Sequence, residues 1–301
     1  MAQQSFKGII PAMVTAFNAD GSVDWHGNRA LLEFVVKSGV HGVLVLGSIG
    51  EFAHMSVEER KRYAEFAVET VAGRVPVLVG TASSGTREPV ELSRHAISAG
   101  ADGVVVVTPY YWTLSEENVY WHYAAVAREV DGPVVLYNFP ALTGNPLSAS
   151  LVTRLAKDFP NIVGIKDTID SIGHVRQLIL EAKSVNPEFS VLVGYDDHLL
   201  NNLAMGGDGA LCGTPNFAPQ VTLGIYRSYN ESDFAQAVEL HRKLMVLMGI
   251  YSLGVPAISA IKVACELCGL PVKPHVRGPA VDADSRVVAR VKELLKEAEL
   301  L

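Results

Sequence analysis

Eight short apolar runs, separated by longer amphipathic segments, predict an α/β protein of the (β/α)8 class, the TIM barrel. None of the runs alternates polar with apolar residues, as expected of parallel strands that helices cover on both faces. A chain of 301 residues is also long enough to form one such barrel. The runs occupy residues 8–14, 42–46, 76–80, 103–107, 133–137, 162–166, 191–194 and 209–213.

The segments between the runs carry helix signals. Ser56, followed by Glu59, has the form of a capping box ahead of an apolar-periodic segment. Residues 86–99 and 115–130 show amphipathic spacing, and Gly100 stands where a helix C-cap is expected. A doubly wound open sheet is the structural alternative, but the first run lacks the Gly-x-Gly-x-x-Gly turn typical of that fold.

The strand signals stop after residue 230, and three helices are predicted beyond it. They cover residues 232–251, 256–268 and 284–301. The last of them has an apolar stripe that consists of Val287, Val291, Leu294, Leu295 and Ala298. Because no Gly/Ser-rich linker separates the two parts, we expect a barrel over residues 1–230 and a helical extension over 231–301 that packs on it.

Composition and charge narrow the class of protein. The net charge of -7 and the absence of a Lys/Arg block argue against nucleic-acid and anionic-membrane partners. Three cysteines do not make a disulfide framework and favour a reducing compartment. Residues 1–7 do not resemble a signal peptide, and no apolar run is long enough to span a membrane. We therefore expect a cytoplasmic protein.

Chemistry-bearing residues stand at the ends of several runs, where barrel enzymes have their active sites. Lys166 ends the sixth run, and burial there would favour the neutral amine, which attacks ketones and forms imines. The alternative is a lysine whose head reaches solvent. Tyr137 ends the fifth run and is either a proton relay or a buried aromatic. The turn from Gly47 to Gly50, with the Ser48 hydroxyl, suits a small carboxylate. Together these groups fit a keto acid.

Other candidate features favour structural roles. Cys265 and Cys268 have redox or metal spacing, but they lie in a predicted apolar helix without a second pair. The nine histidines show neither H-x-H nor H-E-x-x-H spacing. An imine is itself an electron sink, so we expect neither a metal nor a cofactor. Trp112 and Trp121 favour the core or a subunit interface over a stacking platform.

Three stretches resemble the signatures of the pyruvate-dependent class I aldolase superfamily, which includes dihydrodipicolinate synthase and N-acetylneuraminate lyase. They are Gly-Ser-Ile-Gly-Glu from Gly47, Tyr-Asn-Phe-Pro from Tyr137 and Gly-Ile-Lys-Asp from Gly164. The similarity runs through the whole chain, including the C-terminal helices. Bacterial 2-keto-3-deoxygluconate aldolases are the most similar subgroup, through residues 137–144, 165–171 and 194–198.

The resemblance implies a role for each matching residue. Lys166 becomes the Schiff-base nucleophile, Tyr137 the proton donor and acceptor, and Ser48 a relay hydroxyl. Tyr111 matches a tyrosine that completes the relay from an adjacent subunit, which implies a dimer or a dimer of dimers. Position 49 usually carries a second hydroxyl that binds the pyruvate carboxylate. Since Ile49 stands here, that contact is expected to fall to Ser48 and to backbone N–H groups of the same turn.

Further residues match substrate-binding positions of the superfamily. Leu211 matches an apolar residue that lines the pyruvate pocket. The residues that match positions near the hydroxyls of a sugar chain are Thr168, Gly194, Asp196 and Asp197. The implied partners are a small keto acid and an aldehyde.

The activity implied is cleavage of a 2-keto-3-deoxy sugar acid, such as 2-keto-3-deoxygluconate, to pyruvate and an aldehyde. A dehydratase or a dihydrodipicolinate synthase would use the same lysine imine, and a keto-acid sensor is the non-enzymatic alternative. Dihydrodipicolinate synthases typically place an arginine two residues beyond the proline of the Tyr-Asn-x-Pro stretch. Leu142 occupies that position here and favours an uncharged aldehyde.

Overall fold

The computed structural model describes residues 5–254 and 256–301, and these residues contain eight β-strands. The strands are β1 Gly8–Pro11, β2 Val43–Val45, β3 Val77–Gly80, β4 Gly103–Val107, β5 Val134–Asn138, β6 Ile162–Asp167, β7 Ser190–Val193 and β8 Gly209–Cys212. All pair in parallel, in the order β1-β8-β7-β6-β5-β4-β3-β2. A bridge between Ala12 and Leu44 joins β1 to β2. The predicted (β/α)8 barrel is thereby confirmed, and the open-sheet alternative is wrong.

Helices connect the strands and continue beyond β8. Within the described residues they are α1 Trp25–Lys37, α2 Val57–Val71, α3 Arg87–Ser98, α4 Glu116–Glu129, α5 Pro140–Thr143, α6 Ala149–Asp158, α7 Ile172–Val185, α8 Leu199–Ala204, α9 Pro219–Asn230, α10 Phe234–Met248, α11 Ile258–Leu267 and α12 Ser285–Glu297. The predicted capping box starts α2, with both reciprocal hydrogen bonds between Ser56 and Glu59. Gly100 follows α3 with φ +97°, a conformation that glycine adopts without a steric penalty.

The strand register decides which side chains point into the barrel. Tyr137 is paired with Lys166, Lys166 with Leu192, and Leu192 with Gly209. Paired residues in parallel strands point to the same face, and successive residues point to opposite faces. Tyr137 and Lys166 therefore share the inner face, while the residue after each of them points outward to the covering helices.

Charged contacts bind the C-terminal extension to the loop after β2. Lys262 on α11 and Glu51 form a fully buried ion pair with an Nζ–Oε1 distance of 2.5 Å. Lys262 also donates to the carbonyl of His275 at 2.6 Å, and the Arg277 N–H donates to the second Glu51 oxygen at 2.9 Å. The Arg277 guanidinium makes two hydrogen bonds to Glu59. A buried ion pair needs such additional partners to offset the loss of hydration.

The two closely spaced cysteines outside the site have surroundings that favour a structural role. Cys265 is buried and Cys268 half-buried, both as free thiols, and burial raises the pKa of each. Residues 5–254 and 256–301 contain no group of three or more His, Cys, Asp or Glu side chains that could hold a metal ion. Nor does any helix in the described part of the chain have the length and apolarity needed to cross a membrane.

Candidate active site

A cavity of about 80 Å³ lies at the carboxyl ends of the strands. This is the end of the barrel at which the sequence predicted the site. The predicted site residues on its lining are Ser48, Ile49, Tyr137, Lys166, Thr168, Gly194 and Asp196. They come from distant parts of the chain and meet because parallel strands end at one edge of the barrel.

Lys166 is placed next to Tyr137 by the pairing of β5 with β6. Its side chain is buried, with 4% exposure, and Nζ lies 4.3 Å from the centroid of the Tyr137 ring rather than in an ion pair with a described residue. Gly194 makes room for this arrangement. A Cβ atom there would overlap Thr168 Oγ1 and lie 3.2 Å from Lys166 Cε. The lysine head is thus shielded from bulk water but open to the cavity.

Ser48 and Tyr137 bring two hydroxyl groups together beside the lysine. Ser48 Oγ lies 3.3 Å from Tyr137 Oη, and either hydroxyl can be the donor. Tyr137 is 4% exposed, and its ring stacks on Phe139 with centroids 6.0 Å apart. A buried and a half-buried hydroxyl in contact can pass a proton between a substrate oxygen and a neighbouring group.

The turn after β2 is a short 3₁₀-helix, Ser48–Gly50, with Gly47 as its N-cap. Its first N–H groups, those of Ser48 and Ile49, have no carbonyl acceptor within the turn. The Ile49 side chain is half-buried and packs against the hydrophobic core. Gly50 lies off the cavity lining and packs against the segment after β1, since a Cβ atom there would stand 3.0 Å from the Met13 carbonyl oxygen.

Two polar side chains stand on the side of the cavity away from Ser48. Thr168 Oγ1 is buried without a hydrogen-bond partner among the described residues. Asp196 is 1% exposed, and its two carboxylate oxygens accept hydrogen bonds from the backbone N–H groups of Thr214, at 2.8 Å, and Gly213, at 3.4 Å. Burial raises the pKa of Asp196. Thr168 therefore has a free hydrogen-bonding group, while Asp196 also anchors the loop after β8.

Two residues expected to contact substrate lie elsewhere. Leu211 is fully buried in β8 on the same face as Gly209, so it belongs to the barrel interior and not to the lining of the cavity. Asp197 is half-buried, also off the lining, and its charge acts on His241 of α10. Neither side chain lines the cavity, because depth in the barrel and the turn after β7 decide which side chain reaches it. Their contact with substrate stays a prediction.

Tyr111 does not line the cavity of its own barrel. It lies in the loop after β4 with φ +89° and 87% exposure, and its ring packs edge-on against Trp112, which is 72% exposed. A single chain therefore leaves the expected third member of the relay pointing to solvent. Leu142 on α5, also exposed at 63%, lies off the lining as well.

Seven residues of the cavity lining were missing from the predicted site: Ala12, Phe139, Tyr195, Cys212, Gly213, Met248 and Tyr251. Tyr195 packs edge-on against Phe139, and Cys212 follows Leu211 on β8. Met248 and Tyr251 come from the C-terminal extension, and Tyr251 Oη lies 3.3 Å from the hydroxyl of Thr214. Their apolar and aromatic pattern is that of core residues, so the sequence holds no local signal that would separate them from the core.

Comparison with known proteins agrees with this geometry. The model of the dihydrodipicolinate synthetase family matches residues 5–298. The crystal structure of YagE from Escherichia coli K12, a member of that family in complex with pyruvate, is 48% identical in sequence. The two structures superpose with a TM-score of 0.97 over 98% of this chain and 99% of YagE.

Other relatives extend the comparison. YagE has the proposed activity of a 2-dehydro-3-deoxy-D-gluconate aldolase. YjhH, also from E. coli K12, is 46% identical over 99% of each chain and has the proposed activity of a 2-dehydro-3-deoxy-D-pentonate aldolase. A monomeric dihydrodipicolinate synthase variant is 32% identical with a TM-score of 0.94, over 98% of both chains. The resemblance found in the sequence is confirmed, and the chain belongs to the dihydrodipicolinate synthetase family.

Proposed function

We propose that this lyase cleaves a 2-keto-3-deoxy sugar acid, such as 2-keto-3-deoxygluconate, to pyruvate and an aldehyde through an imine on Lys166. The observation that carries the proposal is the contact of the buried Lys166 amine with Tyr137, whose hydroxyl meets Ser48 in the same cavity. YagE and YjhH have the proposed activity of 2-dehydro-3-deoxy sugar acid aldolases, and this supports the substrate class.

The proposed reaction begins with attack of Lys166 Nζ on the C2 ketone, followed by loss of water to give an iminium. Tyr137 then removes the proton of the C4 hydroxyl, and the C3–C4 bond breaks. The electron pair of that bond moves into the iminium and leaves an enamine of pyruvate and a free aldehyde. Protonation of the enamine at C3 and hydrolysis of the resulting iminium release pyruvate and restore the amine.

Because residue 49 is isoleucine, the substrate carboxylate needs hydrogen-bond donors other than a side-chain hydroxyl at that position. The Ser48 hydroxyl and the N–H groups of Ser48 and Ile49 are available for it at the start of the 3₁₀ turn. At the other side of the cavity, the unpartnered hydroxyl of Thr168 suits a hydroxyl of the sugar chain. Binding of the substrate by these groups requires no metal ion or cofactor. In the bond-breaking step the imine on Lys166 is the electron sink.

A panel of keto acids tests the proposal. We expect purified enzyme to cleave 2-keto-3-deoxygluconate-like acids well and to condense pyruvate with aspartate semialdehyde poorly, because Leu142 offers no charged donor to the second carboxylate. A lost charged contact corresponds to about 1.5–3 kcal/mol, or about 10- to 100-fold in kcat/KM. Leu142→Arg should narrow the gap, with Val185→Arg on the exposed part of α7 as the control.

Pyruvate and the aldehyde are scored separately in this assay. Loss of substrate without an aldehyde product would favour a dehydratase that uses the same imine. A keto-acid sensor would bind the acids without consuming them. A kcat/KM for aspartate semialdehyde above that for each sugar acid would overturn the substrate assignment.

Assembly is a separate part of the proposal. We propose that Tyr111 reaches the active site of a second copy, since it is exposed and held in a left-handed backbone conformation away from its own cavity. Tyr111→Phe should then lower kcat more than it weakens pyruvate capture, because the lost hydroxyl moves protons and does not hold substrate. Trp112→Phe, at the neighbouring exposed position, is the control.

Sedimentation at assay concentrations gives the second measurement. We expect at least a dimer, whose dissociation on dilution lowers kcat. A fully active monomer would remove the role of Tyr111 in a neighbouring site, and the monomeric dihydrodipicolinate synthase variant shows that a closely similar fold exists without assembly.

A further inference from the structure

A closed ring of hydrogen bonds lies on the outer face of β5 and β6, behind the side chains of Tyr137 and Lys166. Asn138 and Asp167 follow Tyr137 and Lys166 in the chain and therefore point to the outer face of the barrel. There Asn138 Nδ2 donates to Asp167 Oδ1 at 2.7 Å, and His174 Nδ1 lies 3.0 Å from Asp167 Oδ2. Asn138 and Asp167 are 0% and 1% exposed.

Leu147 closes the ring. Its backbone N–H donates to Asn138 Oδ1 at 3.0 Å, and its carbonyl oxygen lies 2.9 Å from His174 Nε2. The four residues of this hydrogen-bond ring (Asn138, Leu147, Asp167 and His174) thus join the end of β5, the end of β6, the loop before α6 and the start of α7. Side chains that point to the cavity and to the ring alternate along the same two strands.

The ring defines where protons stand on His174. A backbone carbonyl only accepts hydrogen bonds, and so does an ionised carboxylate. Both ring nitrogens of His174 face such oxygens, so both contacts are hydrogen bonds only when both nitrogens carry a proton and the side chain is an imidazolium. Asp167 Oδ1 already accepts from Asn138, which suits an ionised carboxylate at Oδ2.

Several charges and dipoles act on this imidazolium. Burial lowers the pKa of His174, but the hydrogen bond to Asp167 and its charge outweigh burial, so the pKa is raised above 6.5. The Leu147 carbonyl and the more distant Glu181 carboxylate on α7 act in the same direction. The N-terminus of α7, whose N-cap Ser171 lies three residues before His174, opposes a positive charge. Asp167 is therefore the partner on which the charged state depends.

We propose that His174 is a positioning residue, an imidazolium that locks the ends of β5 and β6 so that Tyr137 and Lys166 face the same substrate atom. The inference rests on the proposed function for its effect on activity, though not for the charge state. When His174 loses a proton, one of its ring nitrogens becomes an acceptor that faces another acceptor, an oxygen. That hydrogen bond is lost, and the hydrogen-bond ring opens. A displacement of about 1 Å at reacting groups can cost about 100-fold in rate.

The first experiment measures the charge state of His174 in the wild-type protein. The ¹⁵N-labelled histidine resonances are recorded at about pH 7. His174 is assigned as the signal absent from His174→Asn. We expect both ring nitrogens to be protonated. A bare ring nitrogen at this pH would overturn the proposal, whatever reaction the enzyme catalyses and however well the variant folds.

The second experiment separates the two contacts of His174. The amide of His174→Asn replaces Nδ1 and can still donate to Asp167, whereas the amide of His174→Gln replaces Nε2 and can donate only to the Leu147 carbonyl. We expect kcat to fall up to about 100-fold in the glutamine variant and less in the asparagine variant, with KM little changed. His26→Gln, on the exposed part of α1, is the matched control.

The pH dependence distinguishes positioning from simple loss of stability. Wild-type kcat should decline as pH rises through the raised pKa of His174, and neither variant should show that limb because neither side chain titrates. A wild-type pH profile in either variant, or an unchanged kcat in both, would overturn the proposal. The stability that wild type gains over His174→Asn should be complete below pH 6.5 and lost as pH rises through the raised pKa.

Discussion

Lys166→Ala is expected to abolish both turnover and covalent capture of pyruvate. Without the amine no imine can form, and the rate should fall by about 10⁴-fold or more, as when a nucleophile is removed from other enzymes of covalent catalysis. Borohydride reduction in the presence of pyruvate should leave a three-carbon adduct on Lys166 in the wild type and no adduct in the variant. Intact-mass measurement and peptide mapping read the result.

A second buried lysine provides an internal comparison. Lys262 is fully buried, but its ammonium is held by Glu51 and the His275 carbonyl, outside the cavity. We therefore expect no adduct on the peptide that contains Lys262. Lys157→Ala, on the exposed side of α6, should trap pyruvate like the wild type. An adduct on another lysine, or full activity of Lys166→Ala, would refute the imine mechanism.

The barrel and the centre of its site could be predicted because the signals are local. Each buried parallel strand is a short apolar run, and the ends of parallel strands meet at one edge whatever the loops do. Lys166 and Tyr137 stand one residue before the ends of neighbouring strands, so the 4.3 Å distance from Lys166 Nζ to the Tyr137 ring centroid follows from the register of β5 with β6. The turn at Ser48 enters the same space from β2.

The remaining parts of the cavity depend on packing that no local pattern contains. Met248 and Tyr251 reach the cavity only because α10 and the turn after it lie against the barrel. Asp196 and Asp197 are neighbours in one 3₁₀ turn, and the turn alone decides that the first faces the cavity. Leu211 has the inward direction expected for a lining residue but lies in the barrel interior.

The positions outside the cavity show the same division. His174 is one of nine histidines without metal spacing, and nothing in its immediate sequence marks it. Its significance comes from two contacts, one with Asp167 seven residues away and one with Leu147 twenty-seven residues away. The packing of α7 against the loop before α6 creates the second contact, and a single sequence does not report that packing.

Tyr137→Phe is expected to separate imine formation from bond cleavage. The ring of the phenylalanine keeps the stack on Phe139 and the surface under Lys166 Nζ, so pyruvate should still be trapped by borohydride. Removal of the hydroxyl deprives the C4 proton of its acceptor and Ser48 of its partner. A loss of about 10²- to 10⁴-fold in kcat, or about 2.7–5.5 kcal/mol in the barrier, is the range for a general acid–base group.

Tyr195→Phe is the matched control for this variant. Tyr195 also lines the cavity and packs on Phe139, but its hydroxyl is not hydrogen-bonded to Ser48. Any effect of Tyr195→Phe should therefore be mainly a rise in KM. Tyr137→Phe should instead lower kcat, while the amount of pyruvate trapped by borohydride stays nearly constant. If both variants lost kcat equally, proton transfer could not be assigned to Tyr137. If Tyr137→Phe also failed to trap pyruvate, its hydroxyl would be needed before the carbon–carbon bond is broken, at the dehydration step that forms the imine.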